Sequence, residues 1–95
     1  MLSHLPTDLQ KVRKEDLDKE ILRAGIIAEL DAINFYEQMA ALTSKESIKA
    51  VLLDIAKEEK THVGEFQALL VMEDKEQKGE LEAGRKEVEE ILEKK

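Results

Sequence analysis

The chain predicts an all-α fold: a long antiparallel two-helix hairpin followed by a short C-terminal helix, with two copies pairing into a four-helix bundle. Three observations carry this expectation. Glu, Lys, Leu and Ala are abundant, aromatics make up only 3%, and there is one proline and no tryptophan, a composition suited to long helices. Apolar residues recur at helical spacing through two long stretches. One short break, at Thr43 and Ser44, separates those stretches.

Residues 1–15 read as an N-terminal arm. Pro6 and Thr7 carry turn chemistry, and residues 8–15 are polar enough for an arm or a short first helical turn. Asp16 is placed to cap a helix whose first turn holds Asp18, Lys19 and Glu20. That helix extends to about Leu42, with its stripe at Leu22, Gly25, Ile26, Ala32, Ile33, Tyr36, Met39 and Ala40. Ser44 is the expected cap of a second helix from about Lys45 to about Met72. Its stripe is Ile48, Val51, Leu52, Ile55, Ala56, Val63, Phe66, Leu69 and Leu70. So short a connection makes the two helices antiparallel neighbours, and residues 16–73 form one hairpin unit. The last segment, 74–95, is more polar. Gly79 and Gly84 each weaken it as a helix by roughly 1 kcal/mol relative to Ala. Leu81, Val88, Ile91 and Leu92 give it a sparse apolar face. A loosely attached third helix that docks on a neighbouring copy is expected.

A hairpin cannot surround its own apolar stripe, which needs a further layer. A second identical hairpin supplies one by two-fold symmetry. At 95 residues the chain is a single small domain, of a size that often gains stability by association.

Several classes of function fall away on composition. No cysteine is present, which removes disulfides, thiolate zinc sites, iron–sulfur clusters and thiol catalysis. A formal net charge of -7 repels phosphate backbones and anionic lipid, so neither nucleic acid nor membrane is an expected partner. The same charge favours the approach of cations. No apolar run approaches the ~20 residues of a transmembrane helix. The start, Met1-Leu2-Ser3-His4-Leu5-Pro6, lacks a basic region followed by an apolar stretch, so no signal peptide is expected and a cytosolic location is the default.

Three polar residues interrupt the apolar stripes. Glu29 lies one turn after Gly25 and one turn before Ile33; Glu59 lies between Ile55 and Val63, and His62 follows it by three residues on the same face. Carboxylates placed among apolar side chains are normally paired or bound to metal. Around a turn centred near Ser44, Glu29 stands 15 residues before and Glu59 15 residues after, so an antiparallel hairpin sets them at one level, with His62 a turn further from the loop. Two carboxylates and an imidazole suit iron, manganese or zinc better than calcium or magnesium, which prefer oxygen alone. One chain supplies three such ligands. The ferritin-like di-iron class uses one Glu from each of two helices and a Glu-x-x-His from each of two others, and two chains supply that set. Tyr36, seven residues after Glu29, lies on the same face, where its hydroxyl would either hydrogen-bond a ligand carboxylate or sit at the bundle edge as a core tyrosine. Glu58 and Glu65 read as solvated charges, His4 as an arm residue, and Met39 and Met72 as core or interface filler.

The run Ala28-Glu29-Leu30-Asp31-Ala32-Ile33-Asn34-Phe35-Tyr36 and the run Glu58-Glu59-Lys60-Thr61-His62 resemble the rubrerythrin and ferritin-like superfamily. The thirty-residue spacing of the two glutamates, the short chain and the single Glu-x-x-His resemble its encapsulated-ferritin branch more closely, over roughly residues 15–73. The stretch from about Ile21 to Leu70 also looks like the ferritin-like domain fused to some encapsulin shell proteins. The resemblance implies a hairpin that pairs so that a di-iron ferroxidase centre forms at the interface, with pairs commonly assembling into a ring-like decamer. It implies oxidation of Fe(II) by oxygen and delivery of Fe(III) to the interior of an encapsulin nanocompartment for storage. By position Glu29, Glu59 and His62 match the family's iron ligands, and Tyr36 its tyrosine near the centre. Asp31 matches one of the acidic residues that guide iron in some members, whereas Ala28 occupies the other place, and Phe35 stands where some members have tryptophan. Cargo members end in a Gly-Ser-Leu-type tail, and this chain ends Ile91-Leu92-Glu93-Lys94-Lys95. That leaves open separate cargo, a domain fused to the shell protein, or a free protein. The four cysteines of a rubredoxin module are absent, which disfavours peroxidase chemistry fed by one.

The expected activity is thus that of a ferroxidase, an oxidoreductase acting on Fe(II) with oxygen as acceptor. The alternatives are a non-catalytic helical assembly module, in which the acids and histidine form interface hydrogen bonds, and a metal-binding module that holds iron or zinc without turnover.

Overall fold

The computed structural model describes residues 8–94. Two 3-10 turns, Leu9–Lys11 and Lys14–Asp16, lead into three α-helices: α1 (Leu17–Leu42), α2 (Glu46–Glu73) and α3 (Lys75–Glu93). No strand occurs among the described residues, so the fold is all-α as the composition predicted. Helices α1 and α2 pack against each other along their length as an antiparallel hairpin. At 26 and 28 residues they are about 39 and 42 Å long.

The helix ends depart from the expected chemistry. Asp16 stands at the N-cap of α1, as expected, but makes no side-chain cap bond; its Oδ2 instead accepts hydrogen bonds from Arg13 Nε at 3.3 Å and Nη2 at 3.2 Å. The guanidinium outcompetes the backbone because the preceding 3-10 turn places Arg13 three residues away. Ser44 does not cap α2, whose N-cap is Lys45 with no side-chain bond; the Lys45 amide donates to Thr43 Oγ1 at 3.2 Å, so the connection is ordered one residue earlier. His4, read as an arm residue, lies outside the described residues.

The seam between α1 and α2 is narrow. Its buried apolar residues are Ala24, Ala32, Ile33, Ala40, Ala56 and Leu70, four of them alanines, and no large side chain reaches full burial among the described residues. Small side chains let the two backbones approach closely but enclose little apolar volume. Ile21, Ile48, Val51 and Leu69 remain exposed, and Ile21, Leu22 and Leu69 line an open groove of about 220 Å³ along the hairpin. The radius of gyration is 16.8 Å, against about 12 Å for a compact domain of this length. The molecule is a two-layer object with open faces.

Helix α3 is regular through Gly79 and Gly84. It starts at a side-chain cap: Asp74 Oδ1 accepts the Gln77 amide at 3.1 Å. Asp74 Oδ2 also accepts from Arg23 Nη2 at 2.9 Å, which ties the start of α3 back to α1. This helix packs on α2 and buries no residue of its own. Its attachment is therefore anchored at one end, rather than loose throughout as the glycines suggested.

Candidate metal centre

Helix α1 contributes Glu29 and α2 contributes Glu59 and His62. Each carboxylate falls on the α1–α2 seam because its helical neighbours, Ala32 and Ile33 on α1 and Ala56 on α2, are buried there. Glu29 and Glu59 are only 19% and 18% exposed, while His62 at 46% opens toward the hairpin's free face. His62 Nδ1 stands 3.4 Å from Glu29 Oε2 and 3.3 Å from Glu59 Oε1. One ligating atom from each of the three residues lies within 4.8 Å of the others, and no other group of three such residues has this geometry among the described residues. The structure thus brings together the three residues that their spacing around the turn aligned.

The electrostatics of the cluster favour a cation. Neither carboxylate forms an ion pair with lysine or arginine among the described residues. A hydrogen bond with Glu29, then burial and the charge of Glu29, push the Glu59 carboxyl above its ordinary range, while His62 pulls it back. Partial burial works against protonation of His62. The hydrogen bond with Glu29 and the charges of Glu29, Glu59 and Glu65 outweigh it, so its pKa lies above the usual imidazole value. Two half-buried carboxylates at this separation repel each other, and a shared proton or a metal ion relieves that repulsion. Hard oxygen donors with one imidazole fit iron, manganese or zinc.

Tyr36 is half-buried two turns along α1. Its ring packs against Phe35 with centroids 5.6 Å apart and planes at 56°, and its hydroxyl makes no hydrogen bond to Glu29, Glu59 or His62. Glu58 and Glu65 are exposed, Met39 is half-buried, and Met72 is exposed. Lys60, between the two α2 ligands, reaches across to Glu37 of α1 at 3.0 Å. Sequence reasoning missed the Asp74–Arg23 contact, although Asp74 followed by Gln77 three residues on carried a capping signal. It also placed Gly25 on the apolar stripe without seeing what it meets. A Cβ there would lie 3.1 Å from the Phe66 ring.

An antiparallel helical hairpin with paired carboxylates and a histidine on its seam defines a ferritin-like helical protein. The EncFtn-like family model matches residues 4–82, and the chain belongs to that family. It is 54% identical over 94 residues to the ferritin-like-encapsulin shell fusion protein of Pyrococcus furiosus. That alignment covers 96% of this chain and 27% of the relative, so the chain spans about a quarter of the relative's length. The crystal structure of the encapsulated ferritin domain from Pyrococcus furiosus superposes with a TM-score of 0.81 at 51% identity, covering 95% of this chain and 94% of that one. No described helix is long and apolar enough to cross a membrane.

Proposed function

We propose that the chain is a ferroxidase subunit that binds Fe(II) at Glu29, Glu59 and His62, with the ligand set completed by a second copy. The observation that carries this reading is the clustering of the three ligating atoms within 4.8 Å on an open hairpin face. Three ligands are half of the six-residue set of a two-metal carboxylate site in a four-helix bundle. Two turns along the hairpin from the ligands, the groove lined by Ile21, Leu22 and Leu69 with Asp18 and Glu73 at its rim gives the second hairpin a surface to bury. The family and the relative from Pyrococcus furiosus support an iron-related, encapsulin-associated role, and the fusion in that relative's name points to an encapsulin shell as the partner that encloses the oxidised iron.

In this reading iron is substrate. Glu29 and Glu59 exchange their mutual repulsion for attraction to a cation, and His62 adds a neutral nitrogen donor. Anionic oxygens hold Fe(III) more strongly than Fe(II), because the ionic attraction grows with the charge of the ion. The site therefore lowers the free energy of oxidation rather than only that of binding. Two Fe(II) ions give up two electrons, which with two protons reduce one oxygen molecule to hydrogen peroxide. Because Glu59 and His62 both hold protons more readily than usual, protons compete with the metal at these side chains, and loading weakens as the pH falls.

Loading with Fe(II) under anaerobic conditions, followed by native mass measurement, tests the stoichiometry. Even-numbered oligomers carrying two irons per pair are expected, with oxygen uptake on exposure to air. Stable oligomers that take up no iron would overturn the reading and favour an assembly module. Glu59→Gln keeps the side chain's shape, removes the carboxylate repulsion and deletes a ligand. Helicity and pairing are expected to survive. Iron affinity should fall by about 100-fold, since even residues that merely support a ligand contribute roughly 10–100-fold.

A further inference from the structure

We infer that the contact of Gly25 with the Phe66 ring sets the spacing of α1 and α2 at the metal centre, making both of them positioning residues for Glu29, Glu59 and His62. The inference rests on reading that cluster as a metal centre.

Glycine in the middle of a 26-residue helix is unfavourable relative to alanine, so its place in α1 needs a reason. Gly64, Gly79 and Gly84 have nothing within 4 Å of where a Cβ would be. Gly25 alone meets a neighbour: three ring carbons of Phe66 lie 3.1 to 3.2 Å from that position. The ring rests on the bare backbone of α1, and the distance between the helices at this level is the thickness of that contact. Alanine would force the ring or the helix to shift by a few tenths of an ångström.

The contact lies where such a shift reaches the ligands. Gly25 is one turn before Glu29 on α1, and Phe66 is one turn after His62 on α2. The pairs Glu29–His62 and Gly25–Phe66 therefore share one register, a single turn apart in both helices. On the loop side of the site, the buried Ala32 and Ala56 stand three residues from Glu29 and Glu59. The site is bracketed by buried alanines on the loop side and by the Gly25–Phe66 contact on the other, and that second contact depends on a missing methyl group. Ligand spacing decides how well three donors close on one ion, so a small outward shift lowers affinity without unfolding the hairpin.

The test pairs two measurements on Gly25→Ala, Phe66→Leu and the double variant, with Gly64→Ala as the exposed control. Thermal melting without metal reads the contact. Gly25→Ala lowers the midpoint by roughly 4 °C or more, and the loss shrinks in the Phe66→Leu background, where no ring opposes the new methyl. Anaerobic calorimetric titration with Fe(II) reads positioning. Gly25→Ala weakens binding on the order of tenfold, the double variant recovers most of it, and Gly64→Ala binds as the parent does. Absence of coupling between the two substitutions, or parental Fe(II) affinity in Gly25→Ala, overturns the inference. Should Gly25→Ala not fold, Phe66→Leu alone decides: weakened Fe(II) binding with helicity retained supports positioning, and unchanged affinity overturns it. If the parent chain takes up no Fe(II) while the melting coupling is present, the contact stands and the ferroxidase reading fails.

Discussion

The hairpin and the third helix are both rich in Glu, Lys and Leu, yet different physics makes them helical. In the hairpin, four buried alanines, Ile33 and Leu70 let two backbones pack closely, and tertiary contact holds the helices. In α3 nothing is buried. Beyond its packing on α2, its order comes from Asp74 at its start and from Arg85 bridging Glu82 and Glu89 within the helix. Arg85 holds the Glu82 carboxyl below its ordinary range through a hydrogen bond and its charge. One chain thus carries a packed region that builds a site and a region with strong local stabilisation that presents a surface. Val88, Ile91 and Leu92 stay exposed on that second region.

The largest expected effect breaks the proposed pairing of two hairpins. Leu69→Asp puts a charge into the groove that Leu69 shares with Ile21 and Leu22. Because Leu69 is already half exposed in the single chain, the hairpin tolerates the change, whereas a second copy does not. Sedimentation should show single chains, and Fe(II) uptake should be lost with pairing.

A smaller effect separates the two regions. Asp74→Ala removes the α3 cap and the bond to Arg23, so amides of α3 should exchange with solvent sooner while those of the α1–α2 seam stay protected. The same contacts predict a pH dependence. The Gln77 amide, then Arg23, with help from the charges of Lys19 and Arg23, holds the Asp74 carboxyl below its ordinary value against the opposing effect of burial. A depressed folded-state pKa means that this contribution is fully present above the unfolded carboxylate pKa of about 3.9. It fades as the pH falls through the lower folded-state value. Exchange at Gln77 followed down an acid series checks the sign, and Asp74→Ala should flatten that series.

The smallest effect sharpens the contrast. Gly79→Ala in α3 meets nothing within 4 Å, so it should stabilise that helix by up to about 1 kcal/mol, visible as higher helicity and slower exchange in α3. The same change at Gly25 should act in the opposite direction, because there the neighbour decides.

The hairpin was legible in the sequence because period, length and a single break all agreed. The expected helices to Leu42 and from Lys45 to Met72 compare with Leu17–Leu42 and Glu46–Glu73. Glu29, Glu59 and His62 were legible as candidates because charge on an apolar stripe is costly and equal distances from the turn align two helices. The caps were not, since Arg13 competes for Asp16 and the Thr43 hydroxyl takes the Lys45 amide before Ser44 is used. The regularity of α3 escaped a reading that weighed its glycines singly, because the cap and the Glu82–Arg85–Glu89 bridges act together. The Arg23–Asp74 bond joins residues 51 positions apart, and the role of Gly25 depends on which ring packs opposite. Neither is encoded in local pattern.

The place of Tyr36 on α1 has an optical consequence. Tyr36 is the sole tyrosine in a chain without tryptophan, so absorbance near 280 nm and the emission it excites report from one ring. That ring lies seven residues along α1 from Glu29, about 10 Å at helical rise. Ferric carboxylates absorb in the near ultraviolet, where tyrosine emits, so the chain carries its own fluorescent reporter beside the site. Under the proposed ferroxidase reading, its quenching would follow the arrival and oxidation of iron in real time, with no label attached.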